Sequence, residues 1–179
     1  NPPEATDAAL AHVGKLKNLQ RLNLQYATIS DAGLAHLSGL SELRHLEIPS
    51  PTDEQLARLS GFSKLEYLRI FRPVLKGTGF AHLSTLKNLR QLVLKEGHLS
   101  EDLFPNLAKV SSLSQVNLWG TGGFSAKHVD ELAALKDLKL LDLRRSFLGQ
   151  QEFTAQDVKS LKAALPRSSD WKGVAFGPV

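Results

Sequence analysis

The stretch SDAGLAHLSGLSELRHLEI (30–48) carries two hydrophobic periods end to end. Leu34, Leu37 and Leu40 are spaced by three behind Ser30-Asp31, a pair of the kind that opens helices. Leu43, Leu46 and Ile48 follow, and the last two alternate with polar residues, as in a short strand with one buried face. Working outward, the strand half recurs as NLQRLNL (18–24), KLEYLRI (64–70), NLRQLVL (88–94), SLSQVNL (112–118) and DLKLLDL (137–143). Its first leucine falls at 19, 43, 65, 89, 113 and 138, in steps of 24, 22, 24, 24 and 25 residues. The helical half recurs as Leu10/Val13/Leu16, Leu56/Leu59/Phe62, Phe80/Leu83/Leu86, Phe104/Leu107/Val110, Val129/Leu132/Leu135 and Val158/Leu161/Leu165. Every one of these positions is apolar.

A strand and a helix every 24 or so residues require parallel strands joined by right-handed crossovers. Helix starts are marked by Thr6-Asp7, Thr52-Asp53, Ser100-Glu101 and Thr154, and Thr52 with Gln55 has capping-box spacing. The unit varies on one side only. The offset from the last helical apolar residue to the next strand leucine is always three, whereas that from the strand end to the first helical apolar residue is 10, 8, 10, 10, 11 and 15. All insertions therefore lie at the rim formed by the C-terminal ends of the strands, where repeat arrays often bind.

The strand LxxLxL followed by SDAGLAHLSGL resembles the leucine-rich repeat over about residues 6–165, and within it the ribonuclease-inhibitor-like, helix-containing subtype of bacterial multi-repeat proteins. The resemblance implies an α/β, right-handed solenoid with a parallel concave sheet and convex helices, and leaves function open. Strands stack at about 4.8 Å and helices at about 10 Å, so such a stack must curve with the sheet inside. One departure stands out. The asparagine common nine positions along the repeat is replaced by Ala27, Pro51, Pro73, Gly97, Thr121 and Ser146, so other groups or water must satisfy the turn backbone.

Composition bounds the rest. The 179 residues carry a net charge of +4, 42% hydrophobic and 22% charged residues, the profile of an ordinary globular domain. The absence of Cys excludes disulfides and thiolate chemistry, and no apolar run approaches the roughly 20 residues of a membrane span. The absence of Met points to a piece of a longer chain. One domain is expected, with repeats over about 6–153 and a C-terminal cap over about 154–179 that includes a helix near 154–165, Pro166 and Trp171. The N-terminal end has no such cap, and earlier repeats or a neighbouring domain are expected to cover it.

Counting each unit from its first strand leucine, alternation puts the third, fifth and seventh residues on the concave face. Most are polar, but the middle units carry Tyr67, Phe71, Val93 and Trp119 beside Arg69, Arg72 and Lys95. Aromatics with arginine at the centre of a surface have the composition of a protein-binding hot spot. With Arg144 these form the candidate site, and the long loop 144–153 (RRSFLGQQEF) lies at its edge, with Phe147 or Leu148 expected to fill a loop core position. The expected function is non-catalytic recognition of a protein partner through the concave sheet and its rim. The alternative is a structural spacer or self-assembly module docking through the uncapped N-terminal layer.

Other chemistries are weaker. Lys15, Lys17, Lys64, Lys87, Lys109, Lys136 and Lys139 form a basic rim that suits a polyanion. Acids at most helix starts and lysines at most helix ends are, however, what helix dipoles favour, and they explain both rims. No nucleic-acid partner is expected. His12, His36 and His82 recur at one helical position, too far apart across the stack for a shared metal. WGTGGFS (119–125) with Asp142 imitates a dinucleotide fingerprint but has Ser125 for the third glycine. No cofactor is expected, and no hydrolase, zincin or phosphate-loop motif points to catalysis.

Overall fold

The computed structural model describes residues 7–124, 128–144, 159, 163 and 173–175. Its main strands are β1 (Arg21–Asn23), β2 (His45–Pro49), β3 (Tyr67–Phe71), β5 (Gln91–Lys95), β7 (Gln115–Asn117), β8 (Leu140–Asp142) and β9 (Gly173–Ala175). They form one parallel sheet in the order β1-β2-β3-β5-β7-β8-β9. The register follows the repeat, with Leu22, Leu46, Leu68, Leu92, Val116 and Leu141 in one row. Six of these strands coincide with the repeated segments. The seventh, β9, carries no repeat leucine and pairs with the outer edge of β8. The sequence-expected helix near 154–165, Pro166, Trp171, Phe147 and Leu148 lie outside the described residues, apart from positions 159 and 163.

The convex side carries α1 (Asp7–Val13), α2 (Asp31–His36), α3 (Asp53–Arg58), α4 (Leu103–Leu107) and α5 (His128–Ala133). Ser30 caps α2 by accepting from the amides of Ala32 and Gly33, and Thr52 with Gln55 closes a full capping box on α3. Ser100 does not cap α4; the residue before that helix is Asp102, which makes no side-chain cap. The fourth unit is a 3-10 helix over Thr78–Thr85. Its entry is Gly77, at φ 98°, with no capping side chain, and Gly79 lies in its first turn. With two glycines and no capping side chain at the preceding residue, the segment has little local support for the α form.

Between sheet and helices the repeat leucines make one continuous core, in which Leu43, Leu65, Leu89, Leu113 and Leu138 are fully buried. The first layer is the exception. Leu40, Leu86 and Leu135 are 0% exposed, but the equivalent Leu16 is 55% exposed, and Leu19 and Leu22 are only partly covered. No strand pairs with the outer edge of β1 among the described residues.

Among the six repeat strands, length follows one residue type. The three-residue strands β1, β7 and β8 have Asn23, Asn117 and Asp142 at their third position. Each side-chain oxygen accepts the amide two residues on: Asn23 from Gln25 at 2.9 Å, Asn117 from Trp119 at 2.9 Å and Asp142 from Arg144 at 3.0 Å. That Asx turn competes with the ladder and stops it. The five-residue strands β2, β3 and β5 have Glu47, Arg69 and Val93 there.

The turns without the asparagine ladder are held in other ways. β4 (Val74–Leu75) and β6 (His98–Leu99) pair as a second small parallel sheet, extended by a bridge from His98 to Gly122. Thr121 Oγ1 donates to the carbonyl of Leu118 at 2.7 Å, Ser50 Oγ to that of Arg72 at 2.9 Å, and Gln55 Nε2 to that of Ile29 at 3.3 Å. The acidic rim adds a staple between repeats. Asp7 accepts from Ser30 Oγ, Asp31 from Gln55 Nε2 at 2.8 Å, and Asp53 from the amides of Lys76 and Gly79 at 3.0 and 2.6 Å.

Candidate functional site

Sheet alternation turns three rows of side chains to the concave face. Across β2, β3 and β5 the rows run His45–Tyr67–Gln91, Glu47–Arg69–Val93 and Pro49–Phe71–Lys95. The third row continues to Trp119 and Arg144, just past the ends of β7 and β8. Their carbonyls stay in the stack, accepting from the amides of Glu96 and Gly120 at 3.2 Å each.

The sequence-expected residues come together in two contacting pairs. The Arg69 guanidinium lies 4.4 Å from the centre of the Phe71 ring, and Lys95 Nζ lies 4.6 Å from that of Trp119. Phe71 and Lys95 are register partners, so aromatic and cation alternate along the row. This corrects the expectation for two side chains. Phe71 and Val93 are only 8% and 7% exposed, with the Arg69 guanidinium over the Phe71 ring, although neither belongs to the leucine core. The accessible groups are half-buried Tyr67, Arg69, Lys95 and Trp119, with Arg72 and Arg144 exposed.

Neighbours that the sequence reading left aside shape this surface. His45 stacks on Tyr67 with ring centres 5.6 Å apart, and Glu47 reaches Arg69 at 3.6 Å, a charge contact without a hydrogen bond. His45 Nδ1, Glu47 Oε2 and Arg69 Nε are buried and have no hydrogen-bond partner among the described residues. Burial raises the pKa of the Tyr67 phenol above its ordinary value, against an opposing effect of the Arg69 charge. Arg144 forks onto Asp142 at 2.7–3.2 Å, and Asn117 Nδ2 donates to the same carboxylate at 2.9 Å, so Arg144 is held at the edge of the site. Register arithmetic, adding 22 to 25 to a residue number, finds each of these neighbours.

The alternative surfaces look different. Lys17, Lys87 and Lys136 donate to helix-end carbonyls three residues back, Lys109 to Asn106, and Lys64 pairs with Glu42. Three of the seven rim lysines are thereby engaged with helix-end carbonyls and two more with side chains. His12, His36 and His82 are exposed, and among the described residues no group of three potential metal ligands occurs. In the glycine-rich loop Phe124 enters the core and packs edge-on against Phe104, which itself stacks on buried His128 at 4.1 Å. Among the described residues no helix is long and apolar enough to cross a membrane.

A parallel sheet with one leucine row per strand and helices on its other side is a leucine-rich-repeat fold. No family model and no curated protein matches the sequence. Solved structures do share the fold. Internalin C2 from Listeria monocytogenes superposes with a TM-score of 0.54 at 17% identity, covering 94% of this chain and 74% of that one. The internalin InlF of the same organism gives 0.54 and 17% over 94% of this chain and 51% of its own. The leucine-rich-repeat ectodomain of the Arabidopsis receptor kinase HAESA, solved in complex with an IDA peptide hormone ligand, gives 0.46 and 19% over 77% of this chain and 24% of its own.

Proposed function

We propose that this chain is a non-catalytic recognition module that binds a protein partner on its concave sheet, centred on Tyr67, Arg69, Phe71, Val93, Lys95 and Trp119 and flanked by Arg72 and Arg144. The observation that carries this reading is the pair of cation–aromatic contacts on adjacent strands. Flat aromatic and guanidinium groups give large contact area at low entropic cost, which is why they dominate interface energetics. Three buried polar atoms without hydrogen bonds lie in the same patch, and a partner that displaces Arg69 from Phe71 would provide their missing bonds. Stabilising a transition state with fixed dipoles calls for a water-excluded site, and an open concave sheet favours binding over turnover.

The test is affinity capture on the immobilised protein beside Trp119→Ala and Trp119→Phe. Trp119→Ala is expected to lose the captured protein at least about tenfold, as hot-spot truncations do, and Trp119→Phe to keep most of it. Capture unchanged by Trp119→Ala contradicts the proposal. A second reading, assembly through the N-terminal layer, is favoured by the partial exposure of Leu16, Leu19 and Leu22. Sedimentation across a concentration series separates it: a monomer throughout refutes self-assembly.

A further inference from the structure

At the rim, the turns after β3 and β5 enclose an open groove of about 340 Å³ lined by Arg72, Pro73, Leu75, Glu96, Gly97, His98 and Ser100. We propose that it takes one apolar side chain of an extended segment of a protein partner, with an Asp or Glu side chain of that segment on Arg72. The inference rests on the concave-face reading and names the chemistry of its edge.

Three observations carry it. The first is size: about 340 Å³ is at the bottom of the range for whole small-molecule ligands and fits one or two side chains. The second is how the groove is made. Pro73 and Leu75 are buried in its wall, and Gly97 stands so close to Pro73 that a Cβ there would lie 2.5 Å from the proline ring and 2.8 Å from its carbonyl oxygen. The two turns touch at the base only because residue 97 has no side chain. The connection before β3 is two residues shorter than the next one and contributes nothing to the groove lining, leaving the Arg72 side open toward the sheet.

The third observation is charge. Of the acids in this part of the rim, Glu96 lies 3.5 Å from Lys95 Nζ, Asp53 is held by the amides of Lys76 and Gly79, and Glu101 and Asp102, which follow the lining residue Ser100, make no ion pair with Arg72. Arg72 is exposed and has no acidic partner among the described residues. His98, also exposed in the lining, contributes no negative charge. One uncompensated guanidinium beside an apolar slot selects a carboxylate next to an apolar side chain. Because the groove is open and Arg72 directly follows β3, a chain lying in it continues onto the Phe71–Lys95–Trp119 row. That continuity favours a side-chain carboxylate in mid-segment over a chain terminus.

The test uses four pools of terminally blocked twelve-residue peptides, degenerate except for a central Leu-Asp, Leu-Lys, Ser-Asp or Ser-Lys pair, and reads retention of the fluorescently labelled protein. Wild type is expected to prefer the Leu-Asp pool by about fivefold over the Leu-Lys and Ser-Asp pools, the scale of a rim charge and a single apolar contact. Arg72→Glu should reverse the Asp-over-Lys preference, Arg72→Gln should remove it, and Ser100→Phe, which fills the slot, should remove the Leu preference. Equal retention of all pools overturns the groove proposal, as does a Leu-Asp preference that survives Arg72→Gln and Ser100→Phe. If the Arg72 and Ser100 variants behave as wild type while Trp119→Ala loses the captured protein, the groove fails and the concave reading stands. If Trp119→Ala captures the protein normally, the concave reading fails whatever the pools show.

Discussion

Asp53 offers the sharpest separation between two accounts of the acidic rim. If the rim only complements helix dipoles, replacing Asp53 at the start of α3 costs about 0.3–1 kcal/mol, and Asn is as poor as Ala. The structure gives it a second role: its carboxylate accepts from the amides of Gly79 at 2.6 Å and Lys76 at 3.0 Å, both in the next repeat. Hydrogen bonds to a charged group are worth about 1.5–3 kcal/mol each. The Lys76 bond is exposed and water replaces it, so it counts for little; the Gly79 bond is partly buried and counts nearly in full. The turn has little room to adjust, since even a Cβ on Gly79 would lie 2.6 Å from the Asp53 carbonyl oxygen. Asp53→Ala should therefore cost about 2–3 kcal/mol in urea unfolding, and Asp53→Asn, which keeps a neutral acceptor, about half that. Amide exchange at Gly79 should accelerate in the Ala variant. A loss below about 0.5 kcal/mol, or equal losses for Asn and Ala, would refute the inter-repeat staple.

The layers should differ in the same way. Leu68→Ala, in a fully buried row, should cost about 2–5 kcal/mol, whereas Leu16→Ala, 55% exposed, should cost less than about 1 kcal/mol by the same unfolding measurement. Similar losses at both sites would contradict the open first layer. The raised pKa of Tyr67 has a fixed sign in stability. Burial favours the neutral phenol in the folded state, so its contribution is fully present below pH 10.0 and is lost as pH rises through the folded value. Ultraviolet titration should show one phenol ionising later than an ordinary tyrosine, and Tyr67→Phe should remove that step.

Much of the fold was legible because a repeat states the same constraint six times: an apolar residue that faces the core in one unit faces it in the others, the first layer excepted. The strand leucines and the Ser30 and Thr52 caps lie where the spacing puts them. Other features depend on single residues. The Asx residues that halve β1, β7 and β8 are visible as Asn23, Asn117 and Asp142, but their effect is local and breaks no hydrophobic period. β9 has no leucine motif, and the small sheet of Val74–Leu75 with His98–Leu99 is too short for periodicity to register. For the site, alternation identified the face but not the covering of one side chain by another. That Arg69 lies on Phe71 and Lys95 on Trp119 is decided by rotamers, and it turns a surface read as aromatic into one whose outer layer is cationic.

A partner seated in the hollow of the sheet, and not on the helices, leaves a direct chemical trace. A photo-crosslinking side chain in place of Gln91, half-buried on the concave face beside Tyr67, can be compared with the same group in place of His82, exposed on the convex side. Irradiation with the captured partner present should yield an adduct from position 91 and none from position 82. An adduct from position 82 alone would contradict the account.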